Sequence, residues 1–188
     1  VLGLRFETGD FINFSFLHNY EFLDFTFDIL RDGAFLISEG TYQNRGYSIE
    51  ASSAPFRKFG GTATFTNIGF WTGKQVSLET DVFVRPFVGL NMTASYIHSS
   101  VHLEQGDFKT HLLRLNSSYD VSQWVSMNFN IQYDNLTERL GTNSRFVWVI
   151  DPGNTFFIVH NHNWQRFTDR FNVMEIQSTV KLAYTLRF

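Results

Sequence analysis

The most regular feature of the chain is an alternation of apolar and polar side chains with a period of two. Between residues 125 and 134 one parity reads Val125, Met127, Phe129, Ile131, Tyr133, and the other Ser126, Asn128, Asn130, Gln132, Asp134. Successive side chains of a strand point to opposite faces, so this segment predicts a β-strand with one oily and one wet face. The same alternation recurs over 76–85, 90–96 and 180–188, and no stretch of comparable length has a helical period. Turn chemistry punctuates the pattern at Glu7-Thr8-Gly9-Asp10, Thr72-Gly73-Lys74, Gln105-Gly106-Asp107 and Asp151-Pro152-Gly153-Asn154. Together these signals predict about eleven strands, near 1–6, 11–18, 41–54, 61–71, 75–85, 89–103, 110–119, 124–134, 141–150, 155–162 and 175–188. They form one domain over 1–188, without a linker or an internal repeat.

The predicted runs are long. Strands of soluble proteins average roughly 5–6 residues, whereas a tilted membrane-crossing strand needs about 9–11. The connections alternate in size: 7–10, 55–60, 86–88, 120–123 and 151–154 are short, and the other set includes the two longest, 163–174 and roughly 19–40. Short turns on one side and longer loops on the other suit a bacterial outer-membrane barrel, although the tight Thr72-Gly73-Lys74 turn departs from that pattern. Aromatic residues gather near predicted strand ends, at Phe6, Phe11, Phe56, Phe59, Phe87, Tyr119, Trp124 and Phe188 on one side and Phe70, Trp71, Tyr96 and Tyr133 on the other. Rings prefer the headgroup level, so two girdles are expected.

Composition narrows the choice further. Alternation alone also fits a soluble β-sandwich or a lipocalin-like barrel. But charged residues are only 18% against a typical ~25%, which together with the strand lengths favours a membrane setting, and 22 of the 188 residues are phenylalanine. No apolar run reaches ~18 residues, so no membrane-spanning helix is expected. The absence of cysteine excludes a disulfide scaffold and a thiolate metal site. A net charge of -3 gives no footing for nucleic acid, and none is expected as a partner. The fold class expected is therefore all-β: an antiparallel up-and-down transmembrane β-barrel in the outer membrane. Eleven is an odd count, and the chain opens on Val1-Leu2-Gly3-Leu4-Arg5-Phe6, without Met or signal peptide. It is expected to be the C-terminal segment of an incomplete barrel whose export signal lies upstream.

The last strand carries a second kind of signal. Tyr184-Thr185-Leu186-Arg187-Phe188 resembles the terminal signal of outer-membrane barrels, an alternating strand that ends in an aromatic. This implies that Tyr184, Leu186 and Phe188 are read by the barrel-insertion machinery. The wider sequence is similar to the domain-of-unknown-function 5916 family. The likeness is carried by Gly106-Asp107-Phe108, Thr110-His111-Leu112-Leu113-Arg114-Leu115-Asn116, Gln132-Tyr133-Asp134-Asn135 and Leu140-Gly141-Thr142-Asn143-Ser144-Arg145-Phe146. It continues through Trp148, Pro152-Gly153 and Phe157-Ile158-Val159 to Lys181-Leu182-Ala183-Tyr184-Thr185-Leu186-Arg187-Phe188. It is strongest from about 106 to 188. Many members carry Tyr-Arg before the Pro-Gly turn, where this chain has Val149-Ile150-Asp151. The resemblance implies a large outer-membrane protein in which a family-nine carbohydrate-binding-like module precedes the barrel. It implies no functional residues.

Candidate chemistry is sparse. His98 and His102 share a strand face, and a hairpin about Gly106-Asp107 would place His111 opposite His102, a three-imidazole arrangement of the kind that binds zinc or copper. Polar residues near an outer rim account for them as well, and no metal or cofactor is assigned. Ser99 and Ser100 beside these histidines supply the atoms of a hydrolase acting on lipid or saccharide. Adjacent strand residues face opposite ways, however, so adjacency makes no nucleophile–base pair, and no catalytic residue is assigned. The polar parity is more informative. Glu79, Asp81, Arg114, Asn128, Asn130, Gln132, Arg145 and Lys181 are expected to face the lumen. The expected function is a barrel that meets outer-membrane lipid, anchors an upstream periplasmic domain, and forms a pore or a binding site for a glycan or other polar ligand.

Overall fold

The computed structural model describes residues 1–31 and 33–185. It is all-β, with no helix among the described residues. Eleven strands, all but the first long, form one antiparallel sheet: β1 (Leu2–Arg5), β2 (Phe11–Leu23), β5 (Gly40–Ser52), β6 (Phe59–Phe70), β7 (Gly73–Val84), β8 (Leu90–Leu103), β9 (Gly106–Asp120), β10 (Val125–Asp134), β11 (Arg139–Asp151), β12 (Asn154–Phe167) and β13 (Arg170–Ala183). Each pairs with its neighbour in sequence, so the order is up-and-down and open, β1 and β13 each having one strand neighbour. A separate two-stranded ribbon, β3 (Phe27–Asp28) with β4 (Leu36–Ile37), interrupts the β2–β5 connection.

Two expectations about loops are corrected. The long connection expected at 163–174 is instead strand on both sides of the two-residue turn Thr168-Asp169, with Thr168 at φ 59°. The connection expected over 19–40 shrinks, because β2 runs on to Leu23. Both segments mix polar and aromatic residues, Asn163-Trp164-Gln165-Arg166 and Asn19-Tyr20-Glu21-Phe22, where plain aliphatics would mark a strand.

The chain divides into two compact units, and strands β6, β7, β8 and β9 contribute residues to both. The first comprises Val1–Phe56, Gly61–Thr80 and Ile97–Thr110. Residues paired across an antiparallel ladder share a face, so Leu2, Phe14, Ile49 and Phe65 form an apolar row over four strands. Phe14 meets Tyr47 at 6.1 Å and Tyr47 meets Phe65 at 6.2 Å between ring centres. The opposite face carries the rows Asn13–Glu50–Thr64 and Ser15–Ser48–Thr66. Asn13 Nδ2 donates to Glu50 Oε2 at 3.3 Å, and the Ser52 and Thr62 hydroxyls lie 2.8 Å apart.

The β3–β4 ribbon folds back onto this polar face. Ile37 is fully buried against Val101 and Leu103, with Leu23, Phe35, Tyr42 and Phe108 around them. Tyr42 has the parity of Ser48, and Phe70 that of Thr66. Phe70 and Trp71, expected at a membrane girdle, instead pack on this cluster. Trp71 adopts a left-handed φ of 48°, and its indole N–H donates to Glu21 at 3.0 Å. The packing and that bond offset the strain of the turn.

The second unit comprises Arg57–Gly60, Asp81–Tyr96 and the chain from His111 onward. Its apolar face carries Leu113, Leu115, Met127, Phe129, Tyr133, Phe146, Trp148, Ile158, Val180 and Leu182 as cross-strand neighbours. Most are exposed, Phe129 at 43% and Val180 at 65%. Only Ile37, Ala54, Val101 and Leu103 are buried hydrophobics among the described residues.

Candidate functional site: an amide-lined face

Strands β9 to β13 set their polar parity in register. One row across all five reads Asn116, Asn130, Asn143, Asn161, Gln177. The row beside it reads Arg114, Gln132, Gly141, Asn163, Glu175. Every position of the first row is a carboxamide, which offers two donors and an acceptor oxygen without charge.

The rows are tied together by side-chain hydrogen bonds. Asn130 Nδ2 donates to Asn116 Oδ1, and Asn143 Nδ2 to Asn161 Oδ1. In the second row Arg114 Nε donates to Gln132 Oε1 at 3.3 Å, and Asn163 Nδ2 to Glu175 Oε2 at 3.3 Å. Gly141 keeps its row open, since a Cβ there would stand 3.0 Å from Asn163 Oδ1. The β10 to β13 members of these rows, among them Asn130, Gln132, Asn143, Asn161, Asn163 and Gln177, line a concave trough of about 790 Å³.

The residues expected to face a lumen fall out as follows. Asn130 and Gln132 lie in the trough lining, and Arg114 is bonded to Gln132. Asn128 and Arg145 are direct cross-strand partners in the next row, with Ser118 beyond Asn128. The Arg145 guanidinium lies 5.5 Å from the centre of the Phe157 ring, and Lys181 is paired across from Phe157. Glu79 is exposed in the β7 segment of the first unit. Asp81 accepts a hydrogen bond from the Ser95 hydroxyl. Asn116, Asn143, Asn161, Asn163 and Gln177 complete the rows and were not singled out in the sequence. The first two share the parity of residues that were, whereas Asn161 and Asn163 sat at and beyond the end of a strand predicted too short.

The histidines do not converge. His102 Nε2 pairs with Asp107 at 3.8 Å, and His111 Nδ1 lies 2.8 Å from the Tyr96 hydroxyl. No group of three or more potential metal-ligating side chains occurs among the described residues. Buried Ser99 accepts from Gln75 Nε2 at 3.3 Å. Of the expected insertion signal, Tyr184 is exposed and lies just beyond β13, which ends at Ala183. Leu186 and Phe188 lie outside the described residues.

The apolar face of this unit has one polar seam. Ser117, Phe129, Ser144, His160 and Ser178 form a row, with Thr142 and His162 beside it. His160 Nδ1 lies 2.8 Å from the Ser178 hydroxyl, and the His162 ring stacks on Trp164 with centres 3.6 Å apart.

No family model matches the chain, and no curated protein matches it. Among solved structures it is similar to one titled "NanC porin structure in rhombohedral crystal form", with 9% identity and a TM-score of 0.39 over 98% of this chain and 97% of that one. A likeness at that level carries no argument about this chain.

Proposed function

We infer that this chain is a stretch of wall of an outer-membrane β-barrel, with the amide-lined face toward an aqueous lumen and the apolar face toward lipid. The observation that carries this reading is the apolar face itself. Ten strands of 10–15 residues each display large apolar side chains with almost no buried core beneath them. In water such a surface is far beyond the few hundred Å² that soluble monomers leave exposed. In a bilayer it is the favourable outcome, because strands of this length cross the hydrocarbon when tilted. The lumen then passes or holds a polar solute. The family resemblance supports the further reading that the wall anchors an upstream periplasmic carbohydrate-binding-like module.

Planar-bilayer recording on the full-length protein tests this. Stepwise conductance is expected, with insertion checked independently by labelling. Cysteine is absent from the chain, so Phe129→Cys and Asn130→Cys report without background. In outer-membrane vesicles a membrane-impermeant maleimide should modify the cysteine at 130 and spare the one at 129. Inserted protein that stays electrically silent sinks the pore reading, and equal labelling at both sites sinks the assignment of faces.

A further inference from the structure

We propose that the five-strand carboxamide row is a binding track for an uncharged polyhydroxylated chain, a neutral oligosaccharide. The proposal rests on the reading of this face as lumenal and adds the class of solute. Three observations carry it. First, Asn116, Asn130, Asn143, Asn161 and Gln177 lie in register on successive strands. Strands are about 4.8 Å apart, so the row spans about 19 Å from first to last. This presents a repeating ligand with equivalent groups at regular intervals.

Second, the chemistry matches hydroxyls better than charges. A carboxamide donates and accepts at once, as a sugar hydroxyl does. The Asn130–Asn116 and Asn143–Asn161 bonds fix the amides in pairs and still leave each with an N–H and a lone pair for a ligand. The ionisable members of the neighbouring row, Arg114 and Glu175, stand at its two ends with opposite sign and are engaged by Gln132 and Asn163. Asp134 and Arg139 in the trough lining are likewise of opposite sign, so two cations stand against two anions and neither sign prevails.

Third, the amides are concentrated where the trough is. The corresponding rows of the first unit, Ser15–Ser48–Thr66 and Asn13–Glu50–Thr64, hold four hydroxyls, one carboxylate and a single carboxamide. General wetting of a lumen wall needs only such residues. The trough of about 790 Å³ has room for several sugar rings.

The test uses the full-length protein refolded in detergent, with maltohexaose, a trigalacturonate and a chitosan trimer as probes in calorimetry. Wild type should bind maltohexaose at least tenfold more tightly than either charged probe. The double variant Asn143→Leu with Asn161→Leu, which removes one bonded pair together, should lose at least tenfold for maltohexaose. Ser48→Leu, away from the track, should lose nothing, and circular dichroism verifies the fold of each. Unchanged maltohexaose binding in the double variant, preference for a charged probe, or no binding of any probe overturns the proposal. Labelling of the cysteine in Asn130→Cys by impermeant maleimide separates the two levels. Efficient labelling with no saccharide binding overturns the track alone, whereas absence of labelling overturns the lumenal reading beneath it.

Discussion

Replacing Phe129 by Arg is the most direct probe of which face meets lipid. β10 has ten residues, so its length is about 34 Å at roughly 3.4 Å per residue. Tilted by about 45°, it spans about 24 Å, close to the ~25 Å apolar band of such barrels. Phe129 is the fifth residue of the strand, which puts it within a few ångströms of the midplane. Arginine there costs about 2–4 kcal/mol. Its cross-strand neighbours are Ser117 and Ser144, which give the guanidinium some relief and place the expectation at about 2–3 kcal/mol. Asn130→Arg, one residue along, loses only the bond to Asn116, about 0.5–1.5 kcal/mol, and leaves its charge in water. The assay is urea-dependent folding of the full-length protein into short-chain lipid vesicles, followed by tryptophan fluorescence. The difference between the two variants should reach at least about 1 kcal/mol in this direction. Equal losses, or a larger loss for Asn130→Arg, would refute the assignment of faces.

The other expectations are simpler. Residues 1–188 expressed alone should require detergent, because Phe16, Phe22, Ile176 and Val180 are among many exposed apolar side chains; a monodisperse monomer in plain buffer by light scattering would count against a membrane face. Ile37→Asp should release the β3–β4 ribbon while leaving the sheet intact, since Ile37 is 0% exposed and its burial is the ribbon's main attachment. Limited trypsin digestion at Arg31 should then accelerate at least tenfold with no change in the urea midpoint, and unchanged cleavage would show the ribbon to be held by something else.

The alternation rule recovered the eleven strands of the sheet and their order because it depends only on side-chain parity, which the sheet obeys throughout β10 and β11. It failed where polar residues occupy both parities. In β12 the segment His160, Asn161, His162, Asn163, Trp164, Gln165 carries no aliphatic residue on either face, so it resembled a loop. In β13 the register shifts at Asn163/Trp164, and Met174 is the residue left without a partner. A strand with an extra residue changes parity at that point, and a strict period of two breaks there. The inward ribbon was illegible for a different reason. Ile37 ends the short apolar run Ala34-Phe35-Leu36-Ile37, too brief for a period to show, and its burial depends on Val101 and Leu103, more than sixty residues away. The carboxamide row was half legible: single asparagines are ordinary wet-face residues, and only the register shows five of them in line.

The polar seam on the apolar face is the feature that most tests a lipid-facing reading, because an unsatisfied polar group in hydrocarbon costs several kcal/mol. The seam satisfies itself in part. His160 and the Ser178 hydroxyl are 2.8 Å apart, and the Thr142 hydroxyl donates to the His162 carbonyl at 3.3 Å. Interhelical polar pairs in membranes contribute on average only about 0.6 kcal/mol, so the seam is tolerated and adds little stability. Removing one partner is a different matter, since it leaves the other without a bond in an apolar setting. Ser178→Ala alone should therefore cost about 1–2 kcal/mol in vesicle-based urea titrations, whereas His160→Leu combined with Ser178→Ala should fall within about 0.5 kcal/mol of wild type or be more stable. If this face were wetted instead, water would replace the missing partner. The single and double variants would then both lie close to wild type, with no coupling between them. A near-zero coupling energy from the double-mutant cycle would thus place the seam in water and reverse the two faces of the sheet.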